Sequence, residues 1–145
     1  MKTLVQNRRA RFDYRIDDEL VAGIELTGSE TKSLKNSQGS LNGAHVAIRN
    51  GEAFLVHLHI SPYAKGGPAA KSADPERIRK LLLNRNEIEA MNGKQKGSII
   101  VPLEIVQTPR GFVKVRIGIG FGKKQYDKRE TLKRRDVEKQ IRQEK

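Results

Sequence analysis

The chain has 145 residues, no cysteine and a formal net charge of +12. This length suits one domain of ~100–150 residues, and the lack of Cys excludes disulfide scaffolds, thiol catalysis and Cys-ligated metal centres. No apolar run reaches the ~18 residues of a membrane span, and residues 1–7 lack the apolar segment of a signal peptide, so we expect a cytoplasmic protein without membrane contact. Such an excess of Lys and Arg is typical of proteins that bind nucleic acid.

The positive charge is concentrated at the two ends of the chain. Residues 1–15 carry five basic side chains against one acidic side chain, and residues 122–145 carry ten against five. Basic ends of this kind are commonly ordered only by their polyanionic partner. We therefore predict a folded RNA-binding domain over residues 1–121 and a basic C-terminal tail over residues 122–145 that is disordered when free.

Most of the predicted domain consists of strands, because apolar and polar residues alternate with a period of two. The pattern runs through residues 12–16, 20–26, 46–60 and 101–119. Asn50-Gly51 predicts a type I′ turn inside the third of these stretches. Residues 108–111 predict the turn of a second hairpin, in which Pro102 indicates an edge strand or a bulge.

Three short helices interrupt the predicted strands, over residues 29–36, 76–83 and 85–91. Ser29 is a candidate N-cap for the first, and Asp74-Pro75 is a typical start signal for the second. Residues 61–73 are expected to form an exposed loop. About six strands with about three short helices favour a mainly β fold, an OB-like closed antiparallel barrel.

A catalytic and a metal-binding interpretation compete with structural ones. Glu30-Thr31-Lys32, with Asp17 and Asp18 upstream, matches the residue types of a metal-dependent nuclease, but this pattern needs its acids to converge at one sheet end. The alternative is that Glu30 makes a structural hydrogen bond while Lys32 faces RNA. A zinc site is the second possibility, because His57 and His59 share one strand face. However, His45 is expected on the other face and no third ligand is evident, so we predict no metal and no cofactor.

The chain carries a series of characteristic segments over residues 7–14, 22–28, 30–34, 49–54, 60–63, 74–83 and 122–130. Together they resemble the SsrA-binding protein family, small protein B (SmpB). The resemblance runs in order through nearly the whole chain, with matched gaps. The family usually has Glu where this chain has Val21, and Glu-Val-Lys where it has Glu30-Thr31-Lys32.

This resemblance implies an RNA-binding adaptor and not an enzyme. Family members have an OB-like barrel and bind the tRNA-like half of transfer-messenger RNA. With elongation factor Tu, which joins through the charged RNA, they bring it to stalled ribosomes for trans-translation. The tail is expected to act at the small-subunit decoding centre and in the mRNA channel, and the protein is expected to be a monomer. The alternative is a generic ribosomal or initiation-type OB-fold RNA-binding protein.

The candidate site residues fall into two groups. Resemblance and local charge together predict RNA contacts on the barrel from Asn7, Arg8, Arg9, Arg11, Glu30, Lys32, Arg79, Lys80 and Leu82. Tyr126 lies inside a basic run, which fits base stacking combined with phosphate neutralisation. The contacts predicted for the ribosome and the mRNA channel come from Gly122, Lys123, Lys124, Tyr126, Asp127, Lys128, Arg129, Val137 and Ile141.

Overall fold

The structure is a computed structural model that describes residues 1–92 and 97–123. Its strands are β1 (Lys2–Gln6), β2 (Tyr14–Ile24), β3 (Gly39–Ser40), β4 (His45–Arg49), β5 (Glu52–Val56), β6 (His59–Ile60), β7 (Arg79–Leu82), β8 (Ile99–Gln107) and β9 (Val113–Gly122). Its helices are α1 (Ala10–Asp13), α2 (Gly28–Lys35), α3 (Gly67–Ser72) and α4 (Arg85–Asn92). No described helix is long and apolar enough to cross a membrane.

Seven of the strands form one antiparallel sheet in the order β1-β8-β9-β2-β7-β5-β4, while β3 and β6 form a separate two-stranded ribbon. The prediction of a mainly β, antiparallel fold with a few helices is confirmed. The prediction of a closed six-stranded barrel is wrong, because the main sheet has seven strands and no ladder joins its outermost strands, β1 and β4. The alternation pattern missed β1, in which the adjacent residues Leu4 and Val5 are both buried.

Both predicted hairpins are confirmed. Arg49 pairs with Glu52 across the first turn, and positive φ angles of 53° at Asn50 and 73° at Gly51 match the type I′ conformation. The second hairpin joins β8 to β9, and its register shifts just after Pro102. The shift confirms the predicted bulge, although β8 lies between two other strands and is not an edge.

The helix predicted over residues 76–83 is wrong. Asp74 Oδ1 accepts a hydrogen bond of 2.9 Å from the Glu76 amide, so the expected cap instead closes a short turn. Strand β7 follows and pairs with both β2 and β5. Its side chains then alternate, with Leu81 buried and Leu82 exposed. The local cap signal was outweighed by the pairing partners that the sheet offers on both sides.

Three smaller differences concern the remaining helices. The strand predicted from residue 12 begins only at Tyr14, since α1 precedes it. Helix α2 is confirmed, but its N-cap is Thr27, which forms a capping box with Glu30. Helix α3 lies within the predicted loop, and α4 confirms the third predicted helix.

The main core lies against the inner face of the seven-stranded sheet. Strand residues at alternate positions point into it and meet apolar residues of α2 and α4. The fully buried side chains with the largest volumes are Arg79, Leu34, Leu41, Leu55, Leu58, Leu81, Ile105 and Ile117. All are aliphatic except Arg79. Because the inner positions are filled in this way, the alternate positions of β2, β7 and β9 point to the opposite, outer face.

Candidate nucleic-acid interface

The outer face carries a row of three cross-strand partners. Gly23 on β2 pairs with Leu82 on β7 and, on its other side, with Lys114 on β9. Two residues earlier on β2, Val21 pairs with Arg116 on β9. We call these five residues the outer sheet face. Leu82 is 52% exposed and Val21 is 37% exposed, so the face combines two accessible aliphatic side chains with two cations.

Gly23 gives Leu82 the space to lie over β2. A Cβ atom at position 23 would come within 3.2 Å of the Leu82 Cβ and 3.3 Å of its Cδ1. These separations are shorter than ordinary carbon contacts of ~3.5–4.0 Å. The missing side chain therefore sets where Leu82 sits on the surface.

The cations at this face differ in how strongly acidic side chains engage them. Arg116 lies 3.4 Å from Glu104, and Lys80 lies 3.3 Å from Glu52. Lys114 has no ion pair within the part of the chain that the structure describes. It is half-buried and, with no acidic partner there, is the basic side chain of the face most available to a phosphate.

Glu30 and Arg79 form the centre of a buried ionic network. Arg79 Nε donates to Glu30 Oε2 at 2.7 Å, and Arg77 Nη2 donates to Glu30 Oε1 at 2.6 Å. The remaining Arg79 donors reach the backbone oxygens of Leu58, at 2.6 Å, and Pro75, at 3.0 Å. The network thus ties α2 to the β5–β6 connection and to the turn before β7.

The burial of Arg79 corrects one predicted RNA contact. Its side chain is 0% exposed, and its guanidinium donors are directed to protein oxygens, so it cannot reach a phosphate. Its role is to position β7, the strand that carries Leu82. For Glu30, the structure agrees with the interpretation of a structural hydrogen-bonding role.

Electrostatics explain why this pair is stable in the interior. Burial alone would raise the pKa of Glu30, but hydrogen bonds from Arg77, the Thr27 amide and Arg79 outweigh it, so the pKa is lowered. Burial also lowers the pKa of Arg79, against the opposing effect of the Glu30 carboxylate. Glu30 is therefore a counter-ion of two arginines and is poorly suited to act as a base.

The nuclease and zinc interpretations gain no support from the geometry. In the described ranges, no three His, Cys, Asp or Glu side chains cluster in a way that could hold a metal ion. His45 pairs with Val56 as predicted, yet its ring lies 5.6 Å from that of His57. The expectation that these two rings lie on opposite faces is wrong, because a φ of 63° at His57 breaks the alternation after β5.

The structure separates the remaining candidate residues into two places. The basic residues Arg8 and Arg9, just before α1, and Arg11, within it, are exposed. Helix α1 adjoins the end of β9 at Gly122, the partner of Tyr14. Arg9 and Arg11 pair with Asp13 and Glu19, respectively. The outer sheet face lies at the other end of β9. The predicted site on the barrel is thus two regions rather than one.

Asn7 and Lys32 occupy distinct positions as well. The Asn7 side chain donates to the Pro102 oxygen at 2.9 Å, and its amide donates to Leu103 at 2.8 Å. It therefore helps to hold the chain after β1 against β8. Lys32 is exposed on α2, with its Nζ 5.6 Å from the centre of the Tyr63 ring.

Only the beginning of the tail lies in the described residues. Gly122 ends β9, and Lys123 Nζ lies 5.8 Å from the centre of the exposed Phe12 ring. The other tail candidates lie outside the described residues: Lys124, Tyr126, Asp127, Lys128, Arg129, Val137 and Ile141.

Sequence reasoning missed Lys114 and Arg116. Their alternation with Val113, Val115 and Ile117 marked them as the outward residues of a predicted strand. The pattern could not show which strands lie beside this one in the sheet. Only the pairing of β2 with β7 shows that these cations share a surface with Leu82.

Comparison with known proteins gives a consistent result. The family described as SmpB protein matches residues 4–145. The SsrA-binding protein of Coprothermobacter proteolyticus is 48% identical, with 99% of this chain and 97% of that relative covered. That of Enterococcus faecalis is 49% identical, with coverages of 97% and 90%. A solved chain from the work "tmRNA-SmpB: a journey to the center of the bacterial ribosome" is 43% identical with a TM-score of 0.67, covering 81% of this chain and 82% of its own.

Proposed function

The chain belongs to the SmpB family, and from this premise we propose that it binds the tRNA-like half of transfer-messenger RNA. In this proposal it delivers that RNA to stalled ribosomes for trans-translation, as an adaptor that performs no catalysis itself. Support comes from relatives named SsrA-binding protein that match over nearly their full length. It also comes from a structural match described in terms of tmRNA and the bacterial ribosome.

The row of Leu82, Gly23 and Lys114 is the observation that carries the proposal within this chain. A tRNA-like fold exposes unstacked bases in its loops, and proteins bind such loops by apolar packing and by contacts to the backbone. In our proposal Leu82 and Val21 pack on these bases. Lys114 and Arg116 contact phosphates, which fix the orientation of the protein on the RNA.

The other end of β9 is proposed to serve the ribosome. Arg8, Arg9 and Arg11 lie there beside Lys123, where the tail begins. The tail would enter the mRNA channel next to the small-subunit decoding centre. Because this channel is lined with polyanionic RNA, a basic tail competes with mRNA for it and binds only when it is empty. The chain acts in the cytoplasm as a monomer, and elongation factor Tu joins through the charged RNA.

Equilibrium binding to the tRNA-like half of transfer-messenger RNA tests the proposal. A hairpin RNA of the same length serves as the control, salt is titrated, and RNA integrity is checked on a gel. We expect a preference of more than ~100-fold at physiological salt, because charge attraction alone treats both RNAs alike. Equal affinities would contradict the proposal and favour a generic OB-fold RNA-binding protein, while cleavage of the RNA would contradict an adaptor without catalysis.

A single substitution connects this test to the outer sheet face. Lys114→Ala should weaken binding and lower the slope of log K against log salt by about one, since one phosphate contact is lost. Lys71→Ala is the matched control, because Lys71 is an exposed lysine on α3. An unchanged salt slope for Lys114→Ala would remove this residue from the interface.

A further inference from the structure

The turn between β8 and β9 presents an aromatic ring to solvent. Phe112 is 62% exposed, although the backbone that carries it is held firmly. The Thr108 amide donates to the Phe112 oxygen at 2.8 Å, and the Gly111 amide donates to the Thr108 oxygen at 2.9 Å. Thr108 Oγ1 also accepts from the Phe112 amide at 3.1 Å. A hydrogen-bonded turn thus holds the backbone from which the ring projects.

Two basic side chains belong to the same part of the surface as this ring. Arg110 is exposed in the same turn, and Lys35 Nζ lies 3.8 Å from where a Cβ on Gly111 would be. Neither has an ion pair among the described residues. Residues 105–120 contain no Asp or Glu, and the one acidic side chain of the hairpin, Glu104, pairs with Arg116. We call residues 108–112 together with Lys35 the hairpin tip.

A single exposed aromatic side chain is common on protein surfaces and by itself indicates nothing. Here the ring is carried by a hydrogen-bonded turn, Arg110 belongs to the same turn, Lys35 approaches Gly111, and residues 105–120 contain no Asp or Glu. This combination meets the requirements for stacking on an unpaired base while neighbouring phosphates are neutralised. The tip is also continuous with the outer sheet face, because Lys114 follows Phe112 by two residues.

We infer that the hairpin tip is a second contact for the same RNA, in which Phe112 stacks on an unpaired loop base while Arg110 and Lys35 contact the flanking phosphates. This inference rests on the proposed function and extends its surface. Phe112 also differs in its place on the molecule from the second exposed ring, Phe12. Phe12, 73% exposed beside Lys123, lies near the opposite end of β9, about 30 Å away for a ten-residue strand.

The absence of tryptophan from the chain allows a direct measurement of stacking. Phe112→Trp introduces one fluorophore at the tip, and Phe12→Trp places the same fluorophore in the matched exposed position. Titration with the tRNA-like RNA should quench the Trp at 112 and leave the Trp at 12 nearly unchanged. Equal quenching of the two would indicate non-specific coating by RNA and would overturn the inference.

Affinities provide the second measurement. Phe112→Leu keeps an apolar side chain but loses the ring, and we expect binding about 5- to 20-fold weaker. Phe112→Tyr should bind like the wild type, and so should Phe12→Leu. Arg110→Ala should lower the salt slope by about one. Because Phe112 is exposed, these variants should unfold at the wild-type temperature, which circular dichroism checks.

The outcomes separate this inference from the proposed function. If the wild type prefers the tRNA-like RNA but Phe112→Leu binds equally well and the Trp at 112 is not quenched, the tip is not an RNA contact and the proposed function stands. The exposed ring would then serve another partner, such as a protein. If the wild type shows no preference between the two RNAs, both the inference and the proposed function are overturned.

Discussion

Gly23 and Leu82 are cross-strand partners so closely spaced that a Cβ on Gly23 would lie 3.2 Å from the Leu82 Cβ. Leu82 is nevertheless half exposed. The glycine thus leaves room on β2 for the accessible Leu82 side chain of β7, and Lys114 lies across β2 on β9. The position of this proposed RNA contact therefore depends on a residue that itself offers no functional group.

Gly23→Ala should weaken RNA binding without unfolding the protein. The added methyl group forces Leu82 to shift by a few tenths of an ångström. Because this shift weakens the contact between Leu82 and the RNA without removing it, we expect RNA affinity to fall about three- to tenfold. Stability should change by less than ~1 kcal/mol, because the loss of chain entropy on folding is smaller for Ala than for Gly. Binding titrations and chemical denaturation measure the two effects.

The control for this variant is Gly28→Ala, because an added Cβ there meets no atom within 4 Å. It should bind RNA like the wild type. Equal affinities of the two alanine variants would show that the placement of Leu82 does not matter for binding.

Alanine substitutions of the adjacent residues Leu81 and Leu82 on β7 should affect different properties, stability in the first case and RNA binding in the second. Leu82→Ala removes an exposed side chain and should cost less than ~1 kcal/mol of stability, with RNA affinity about tenfold lower. Leu81→Ala removes a side chain that is 1% exposed and should cost ~2–5 kcal/mol through the cavity it leaves. Thermal unfolding and RNA binding are measured for both. A Leu82→Ala variant that binds RNA normally would argue against the outer sheet face as the interface.

Predictability from the sequence depended on whether a signal was local. Asn50-Gly51 correctly predicted a hairpin, because the conformation of that turn is set by its own two residues. Asp74-Pro75 misled, because the helix it predicts was outweighed by the pairing of β7 with strands far away in sequence. Arg79 was assigned to RNA from the resemblance and its charge, and its burial became evident only once its partner Glu30 was located.

The same distinction applies to the candidate site. The resemblance placed Leu82 and Lys32 at the surface, and both are exposed. Lys114 was missed, because its place beside Leu82 follows from sheet order and not from any neighbouring residue. The sequence therefore predicts the residue types of the candidate site, basic and apolar, while their grouping on one surface required the fold.

Removal of the Glu30 charge should strongly destabilise the protein at neutral pH. Glu30→Gln leaves the buried Arg79 without its counter-ion, and truncating one partner of such a pair costs about 3–5 kcal/mol. Glu52→Gln is the matched control, since Glu52 pairs with Lys80 at an exposed site and should cost less than ~1 kcal/mol. Urea denaturation gives both values. A loss below ~1 kcal/mol for Glu30→Gln would mean that the network contributes little to stability.

The same carboxylate predicts a pH dependence of stability. Folding lowers the pKa of Glu30 below its ordinary value of 4.5, so the unfolded state binds its proton more readily. The stabilisation is therefore complete above this value and is lost as the pH falls below it through the folded-state pKa. Denaturation curves taken from about pH 7 to pH 3 should show a decline below about 4.5 that is shallower in Glu30→Gln. Identical slopes for wild type and variant would assign the acid sensitivity to other groups.

Charge reversal in the tail should separate RNA binding from ribosome rescue. Replacing Lys123, Lys124, Lys128 and Arg129 with Glu removes the attraction that draws the tail into an RNA-lined channel. The outer sheet face lies at the other end of β9 and is left intact. We expect affinity for the tRNA-like RNA within about threefold of wild type and loss of peptide tagging in a reconstituted translation assay on messages that lack a stop codon.

A control for net charge completes this test. Reversing Lys2, Arg49, Lys65 and Lys71, all exposed, changes the formal charge by the same amount and should preserve tagging. If the tail variant lost RNA affinity in proportion to its loss of tagging, the two ends of the molecule would not have separate roles. Long-range attraction depends on the sum of the charges, whereas binding in the channel depends on where the charges lie. Equal loss of tagging in both variants would therefore mean that overall charge, and not the position of the tail, governs rescue.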